Sequence, residues 1–251
     1  SEVLVDEEQK HTKATAGRAG RAGKKFSETA DDSKVKTDEM GLSGGLMQRY
    51  LAQLLALSHD SDKSVRVDAV GLIRVILRQG LVHPIECVAH MVALEGDTDP
   101  RVRAQAAAVL SYLEEKHHAL LLLRSAQGVL MSYEFQRRVS EKASAFAGAE
   151  CAFSRVYMFL RAKRAERNQF TSNLLTKVLD EIKGDAVDLS VLEYILSVLS
   201  SLPYHKKDEV MTILVALTRA VNLHGETLEE ELEQALLGGA EDEGGITSDS
   251  H

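Results

Sequence analysis

One segment of this chain occurs twice, and the spacing of the two copies limits the fold more than any other feature. Residues 60–66 read Asp-Ser-Asp-Lys-Ser-Val-Arg, and residues 97–103, which lie 37 positions later, read Asp-Thr-Asp-Pro-Arg-Val-Arg. Apolar residues follow both copies at helical spacing and in the same register: Ala69, Leu72, Ile73 and Ile76, then Ala106, Val109, Leu110 and Leu113. A helical pattern that recurs at roughly 40 residues is typical of HEAT or armadillo solenoids.

Each copy also carries the signals that begin a helix. Asp62 and Asp99 stand where a side-chain oxygen can accept from the free backbone N–H groups of the first turn. Pro100 then takes the first helical position, where its missing N–H has no effect. An amphipathic segment precedes each copy, so each unit is predicted to be an antiparallel helix pair that buries its apolar face against the next pair. Arg66 and Arg103 follow the inward valines, and we expect them to form ion pairs with acids of the neighbouring repeat.

The rest of the chain continues the helical pattern. Aromatic residues make up 5%, there is no Trp, only three prolines interrupt 251 residues, and no turn signal predicts a β-hairpin. We therefore predict an all-α protein, a HEAT-type helical-repeat solenoid over residues 45–237. Its later helices are predicted at 119–140 with a break near Gly128, and at 151–162, 170–182, 189–202 (capped by Asp188), 208–222 and 227–237, the last ended by Gly238 and Gly239.

The two ends differ from this body in composition. Residues 1–44 contain few large apolar side chains, so we expect a disordered linker. Its stretch 10–25 holds six bases and no acid, which is compatible either with a solvated linker or with nonspecific phosphate contact. Residues 238–251 are predicted to be a disordered acidic tail. The net charge of −8 comes from 226–251, which holds nine acids and no Lys or Arg and leaves 29 acids against 30 bases elsewhere.

No pattern of catalytic or metal-binding residues is present. Cys87 and Cys151 have no partner at metal spacing and are expected to be buried reduced thiols of an intracellular protein. His117 and His118 are adjacent, so they point to different sides of a helix. Phosphate loops and hydrolase motifs are absent, and no apolar run is long enough for a membrane span. We predict no enzyme, no cofactor, no metal and no membrane association. The first residue is not Met, and we expect a piece of a longer protein.

Five stretches in order resemble one protein family. They are residues 78–88 (Arg-Gln-Gly-Leu-Val-His-Pro-Ile-Glu-Cys-Val), 97–103, 131–136 (Met-Ser-Tyr-Glu-Phe-Gln), the Arg, Phe and Leu series over 161–175, and 203–204 (Pro-Tyr). Together they are similar to the C-terminal HEAT-repeat region of the Nipped-B family, the adherins, which load cohesin onto chromatin. The similarity covers about residues 46–223. It departs from the family pattern at His205, Lys206 and Lys207, where acids are expected.

The resemblance implies a non-enzymatic scaffold module of a cohesin loader in the nucleus, on chromatin. Such a module would contact double-stranded DNA and the ATPase heads and kleisin of cohesin, and would stimulate cohesin's ATPase. The tetratricopeptide partner of the loader binds a part of these proteins that is not in this chain. The alternative is a general HEAT-repeat adaptor that grips protein partners and has no role on DNA.

Six basic residues are the candidate binding site. Arg161, Arg164 and Arg167 are spaced to lie along one helical stripe, which suits a row of phosphates or an acidic protein face. The alternative is a solvated helix end whose bases complement the helix dipole. The full set of candidates for contact with DNA or a partner is Arg161, Lys163, Arg164, Arg167, Lys206 and Lys207.

Overall fold

A computed structural model of the chain describes residues 44–140, 142–183 and 188–241. In this part of the chain the helices are α1 (44–57), α2 (Lys63–Arg78), α3 (Ile85–Ala93), α4 (Pro100–Val139), α5 (Ser154–Leu160), α6 (Arg164–Lys183), α7 (Leu189–Ser201) and α8 (Lys207–Glu241). A 3-10 turn, Leu94–Gly96, extends α3. The all-α helical-repeat class is confirmed. The basic stretch 10–25, and the tail from residue 242 onward, lie outside the described residues.

Local capping chemistry sets the helix starts, as predicted. Asp62, Asp99 and Asp188 each accept, through a side-chain oxygen, a hydrogen bond from the backbone N–H two residues later, at 2.7 to 2.9 Å. Pro100 is the first residue of α4. These bonds satisfy N–H groups that have no partner inside the helix.

The chain clusters into two compact units. The smaller comprises, within the described residues, 44–52 and 76–82, and the larger comprises 53–75 and the residues from 83 onward. In the smaller unit Gly80 has φ +68° and ends α2: its N–H donates to the Leu77 carbonyl at 3.1 Å, and the Leu81 N–H donates to the Ile76 carbonyl at 3.0 Å. This pair of bonds is a Schellman cap, which favours glycine at the left-handed position.

In the larger unit the two sequence copies are joined by a buried ion pair. The Arg66 side chain is 3% exposed, and its guanidinium donates to both carboxylate oxygens of Asp97, at 2.7 and 2.9 Å. It also donates to the carbonyls of Asp60 and Ser61. Arg103 makes the same two carbonyl contacts in the second copy, but no described carboxylate lies within ion-pair distance of it. The expected bridge to the neighbouring repeat is therefore confirmed for Arg66.

Burial follows the predicted register with one exception. Ile73, Val102, Leu110 and Leu113 are fully buried, whereas Leu72 is 48% exposed. Its equivalent in the second copy, Val109, is 1% exposed, so the two copies share a sequence pattern without sharing every packing contact.

The predicted break at Gly128 is wrong, and the break lies at His117. His117 has φ −141° and ψ 38°, which bends α4 into two helical parts. Gly128 lies inside the second part, where a Cβ would come within 2.5 Å of the Val92 Cβ and 2.8 Å of the Ala89 carbonyl. The glycine is needed because α3 approaches the backbone of α4, and it keeps a helical conformation.

Two further expectations are corrected. The helices predicted at 208–222 and 227–237 are one helix, α8, which continues through Gly238 and Gly239 to Glu241 because strong helix formers flank both glycines. A short hairpin that the sequence did not predict pairs β1 (Phe146–Ala147) with β2 (Glu150–Cys151), and Gly148 takes φ +81° in its turn.

Candidate nucleic-acid interface

The predicted basic stripe is divided by a turn. Helix α5 ends at Leu160 and α6 begins at Arg164, so residues 161–163 form the connection between two helices and do not continue a helical face. Lys163 and Arg164 are well exposed, with 70% and 74% of their side chains accessible, and Arg161 is half-buried. The expectation of one continuous helical stripe is therefore wrong.

Arg167 lies inside the protein. Its side chain is 3% exposed and donates to Asp208 at 2.7 Å and to Glu209 at 3.1 Å. A buried guanidinium requires such partners, because an isolated buried charge is strongly unfavourable. The position that sequence spacing placed on the surface is instead a structural link between α6 and α8.

Glu209 is the centre of this link. It is buried, and besides Arg167 it accepts from the Tyr157 hydroxyl and from the backbone N–H of His205, each at 3.0 Å. Burial by itself would raise the pKa of Glu209, but these hydrogen bonds and the guanidinium outweigh it and hold the pKa below its usual range. Burial together with the bond to Glu209 raises the pKa of Tyr157. The cluster connects α5, α6 and α8 through charge-assisted bonds.

The same link joins the two segments that carry the remaining candidates. Asp208 contacts Arg167 and lies 3.6 Å from the Arg164 Nε, so the first turn of α8 lies against the first turn of α6. Lys206 and Lys207 are exposed at the start of α8. The starts of α6 and α8, with the residues just before them, carry five bases that are named here together as the basic surface: Arg161, Lys163, Arg164, Lys206 and Lys207.

Glu166, an acid beside the basic surface, could not be predicted as part of the site from the sequence. Glu166 accepts from the Lys163 ammonium at 2.9 Å and contacts the Nε2 of His118 at 2.7 Å. Hydrogen bonds from His118 and then Lys163 lower the pKa of the Glu166 carboxyl. His118 lies 48 residues away along the chain, at the bend of α4, and no local pattern connects it with Glu166.

Two residues of the 131–136 stretch, Ser132 and Gln136, serve packing. Ser132 is buried and donates to the Ala93 carbonyl at 2.8 Å. Gln136, also buried, accepts the Ser144 N–H at 2.7 Å and donates to the Ser144 carbonyl at 3.1 Å. These bonds hold α4 against the end of α3 and against the segment that leads into the hairpin.

The described residues were also compared with the requirements of a metal site, a reactive thiol and a membrane span. No group of three or more His, Cys, Asp or Glu side chains among them is placed to hold a metal ion. Cys87 and Cys151 are free and buried, and burial raises the pKa of the Cys87 thiol to about 12, which keeps it protonated and unreactive at neutral pH. No helix within the described ranges is long and apolar enough to cross a membrane.

A family model and several known proteins that match this chain point to the same family. The family model for the Nipped-B "Sister chromatid cohesion C-terminus" matches residues 43–220. The chain is 29% identical over 220 residues to Nipped-B-like protein B of Danio rerio, and 27% identical over 223 residues to Nipped-B-like protein of Homo sapiens; each match covers 85% of this chain and 8% of the relative. Sister chromatid cohesion protein mis4 of Schizosaccharomyces pombe is 23% identical over 197 residues, covering 75% of this chain and 12% of that protein. The chain therefore spans about a tenth of the length of these relatives.

Proposed function

The chain belongs to the Nipped-B family, and we propose that it is a non-enzymatic scaffold module of a nuclear cohesin-loading factor. In this proposal the module contacts double-stranded DNA, as well as the ATPase heads and kleisin of cohesin, and so stimulates cohesin's own ATPase on chromatin. The name of the mis4 relative, a sister chromatid cohesion protein, supports the process. The basic surface supports the contact with DNA.

The single observation that carries the DNA contact is the joining of α6 and α8 by Arg167. Its guanidinium pairs with Asp208 and Glu209 and so links the first turn of α6 to the first turn of α8, and the starts of these two helices carry the five bases. Backbone N–H groups at helix starts and Arg or Lys side chains both favour phosphate oxygens. In the proposal the buried Arg167 holds the two helix starts in place and does not itself touch DNA.

A titration of the 251-residue chain with duplex DNA at several salt concentrations tests the contact. The variant replaces four exposed bases of the basic surface with Gln: Lys163, Arg164, Lys206 and Lys207. Each lost phosphate contact reduces the magnitude of the slope of log affinity against log salt by about 0.9. The variant should therefore bind DNA more weakly, with a slope smaller by about three or four. The matched control replaces four exposed bases elsewhere with Gln, which changes the net charge equally: Arg49, Arg74, Arg138 and Lys177.

The proposal requires the control to keep most of the wild-type slope. Equal losses in both variants would mean that DNA responds to net charge only, and undiminished binding by the first variant would remove the basic surface from the DNA contact. The same two sets of substitutions, introduced into a full-length loader, would then show in a cohesin ATPase assay whether the basic surface acts on cohesin instead.

An adaptor without a DNA role is the second candidate, and α8 favours it. Five large apolar side chains on this helix are 40% to 68% exposed: Val210, Met211, Leu214, Val215 and Val221. Apolar patches of this kind mark protein contacts. Absence of DNA binding by the wild-type chain, at low as well as physiological salt, would favour this candidate.

A further inference from the structure

A groove separate from the basic surface lies between the end of α4, the segment that leads into β1, and α7. It encloses about 520 Å³, within the range of ligand pockets in proteins. We call it the tyrosine groove, and its defining residues are Tyr133, Arg137, Lys142, Phe146, Glu193 and Tyr194. No residue of the basic surface lines it.

One wall of the tyrosine groove is aromatic and held in place. The rings of Tyr133 and Tyr194 lie with their centroids 5.3 Å apart, and Phe146 on the hairpin leaves 45% of its surface exposed at the rim. The buried Gln136 donates to the Tyr194 hydroxyl at 3.4 Å and to Ser132 at 3.1 Å. Aromatic surface that is ordered beforehand binds an apolar side chain with little loss of conformational entropy.

The rim adds an oriented positive charge. The Arg137 guanidinium lies 6.0 Å above the Tyr133 ring, and no described carboxylate pairs with it. The Lys142 ammonium is 3.7 Å from Glu193, but both side chains are more than 70% exposed, so this ion pair is weak and is screened by salt. A guanidinium placed on an aromatic face is ready to bind a carboxylate through two parallel hydrogen bonds.

We propose that the tyrosine groove binds a short linear segment of a partner protein, one that carries a large apolar side chain next to a carboxylate. The apolar side chain packs on Tyr133 and Phe146, the buried Tyr194 supports the ring of Tyr133 from inside the protein, and the carboxylate pairs with Arg137. Two cations and one carboxylate stand at the rim, which suits a singly charged acid. A nucleic-acid strand would bring its phosphates against Glu193, where like charges repel.

Panning a phage library of random 12-residue peptides against the immobilised 251-residue chain tests the proposal. Enriched sequences should combine an aromatic residue or Leu with a neighbouring Asp or Glu. Synthetic versions of the enriched peptides are then titrated by fluorescence polarisation with the wild-type chain and with two variants, Arg137→Glu and Phe146→Ser. We expect Arg137→Glu to weaken binding at least tenfold and Phe146→Ser at least fivefold.

Each variant has a matched control on α4 outside the groove. Arg138→Glu reverses the neighbouring exposed arginine, and Leu123→Ser removes another large exposed side chain. Both controls should bind within twofold of wild type, and thermal unfolding of all four variants verifies that they are folded. No enrichment over uncoated wells, equal weakening by the controls, or tighter binding of a single-stranded deoxynucleotide 12-mer than of any peptide would each overturn the proposal. None of these readouts depends on the duplex-DNA contact of the proposed function.

Discussion

At the scale of single residues, the arginines show how partners decide the role of a charge. Arg66 and Arg167 are both 3% exposed, and each is held by carboxylates from a distant part of the chain. Arg164, three residues before Arg167, leaves 74% of its side chain in solvent. The same residue type is therefore a buried structural link at two positions and an exposed side chain at the third.

Replacing Arg167 with Met should lower the free energy of unfolding by about 3 kcal/mol, because it leaves the buried Glu209 without its cation. Arg164→Met removes an exposed ion pair and should change the free energy of unfolding by less than about 0.5 kcal/mol. Urea denaturation measures both. The double variant Arg167→Met with Glu209→Gln should recover part of the loss. Equal effects of the two single substitutions would contradict a buried ion pair at Arg167.

At the scale of secondary-structure elements, close approach of α3 and α4 defines the repeat. Val92 and the Ala89 carbonyl lie against the α-carbon of Gly128, in the part of α4 that follows the bend at His117. Interiors are packed densely enough that one added methyl group must displace something. The contact requires the smallest residue, although glycine weakens a helix.

Two glycine-to-alanine substitutions separate these effects. Gly128→Ala gains helix propensity but overpacks the contact with Val92, and should destabilise the protein by about 1–3 kcal/mol. Gly71→Ala in α2 meets only the Gln105 side chain at 3.7 Å, an ordinary contact, and should stabilise it by about 0.5–1 kcal/mol. Chemical denaturation would reveal the opposite signs. A stabilising Gly128→Ala would show that the two helices do not approach as closely as the structure has them.

At the scale of the whole molecule, buried titratable groups make stability depend on pH. His59 and His90 lie with their Nδ1 atoms 3.1 Å apart. Burial, together with the neighbouring His90 and Arg138 charges, lowers the pKa of His59 to about 3, and burial lowers the pKa of His90 to about 4. Burial raises the pKa of Glu95 to about 7, although Arg155 and Arg103 oppose the rise. The two histidines and the carboxyl act in opposite directions.

The sign of the pH effect follows from proton counting. Between pH 6.5 and about 4 the unfolded chain binds protons at both histidines and the folded chain does not. The two histidines therefore leave the stability undiminished above pH 6.5 and lower it as the pH falls below that value. Folded Glu95 takes up a proton between pH 7 and about 4.5, which partly offsets this loss. The thermal midpoint should therefore be lower at pH 5 than at pH 7.

Glu95→Gln isolates the opposing group. This variant cannot take up the compensating proton, so its midpoint should fall more steeply from pH 7 to pH 5 than that of the wild type. Glu134→Gln removes an exposed carboxyl from α4 and is the matched control. Parallel curves for wild type and Glu95→Gln, recorded by differential scanning calorimetry, would rule out the raised pKa of Glu95.

The 37-residue repeat, the all-α class and the helix starts at Asp62, Asp99 and Asp188 could all be predicted from the sequence. Each depends on neighbours within one or two helical turns, because capping bonds and apolar periodicity are local. The order of the family stretches likewise pointed to Nipped-B without a structure. Even so, the local helix-breaking signal of Gly128 was misleading, since glycine serves there to admit another helix.

Only the tertiary structure decided which charges are buried and which bases share a surface. Arg167 meets Asp208 some 41 residues later, and this contact removes it from the predicted stripe while bringing Lys206 and Lys207 beside Arg164. The tyrosine groove likewise joins Tyr133 to Tyr194 across 61 positions. Helical spacing shows which residues share one face of one helix, but not which distant helix packs against that face, because that choice depends on the packing of the whole core.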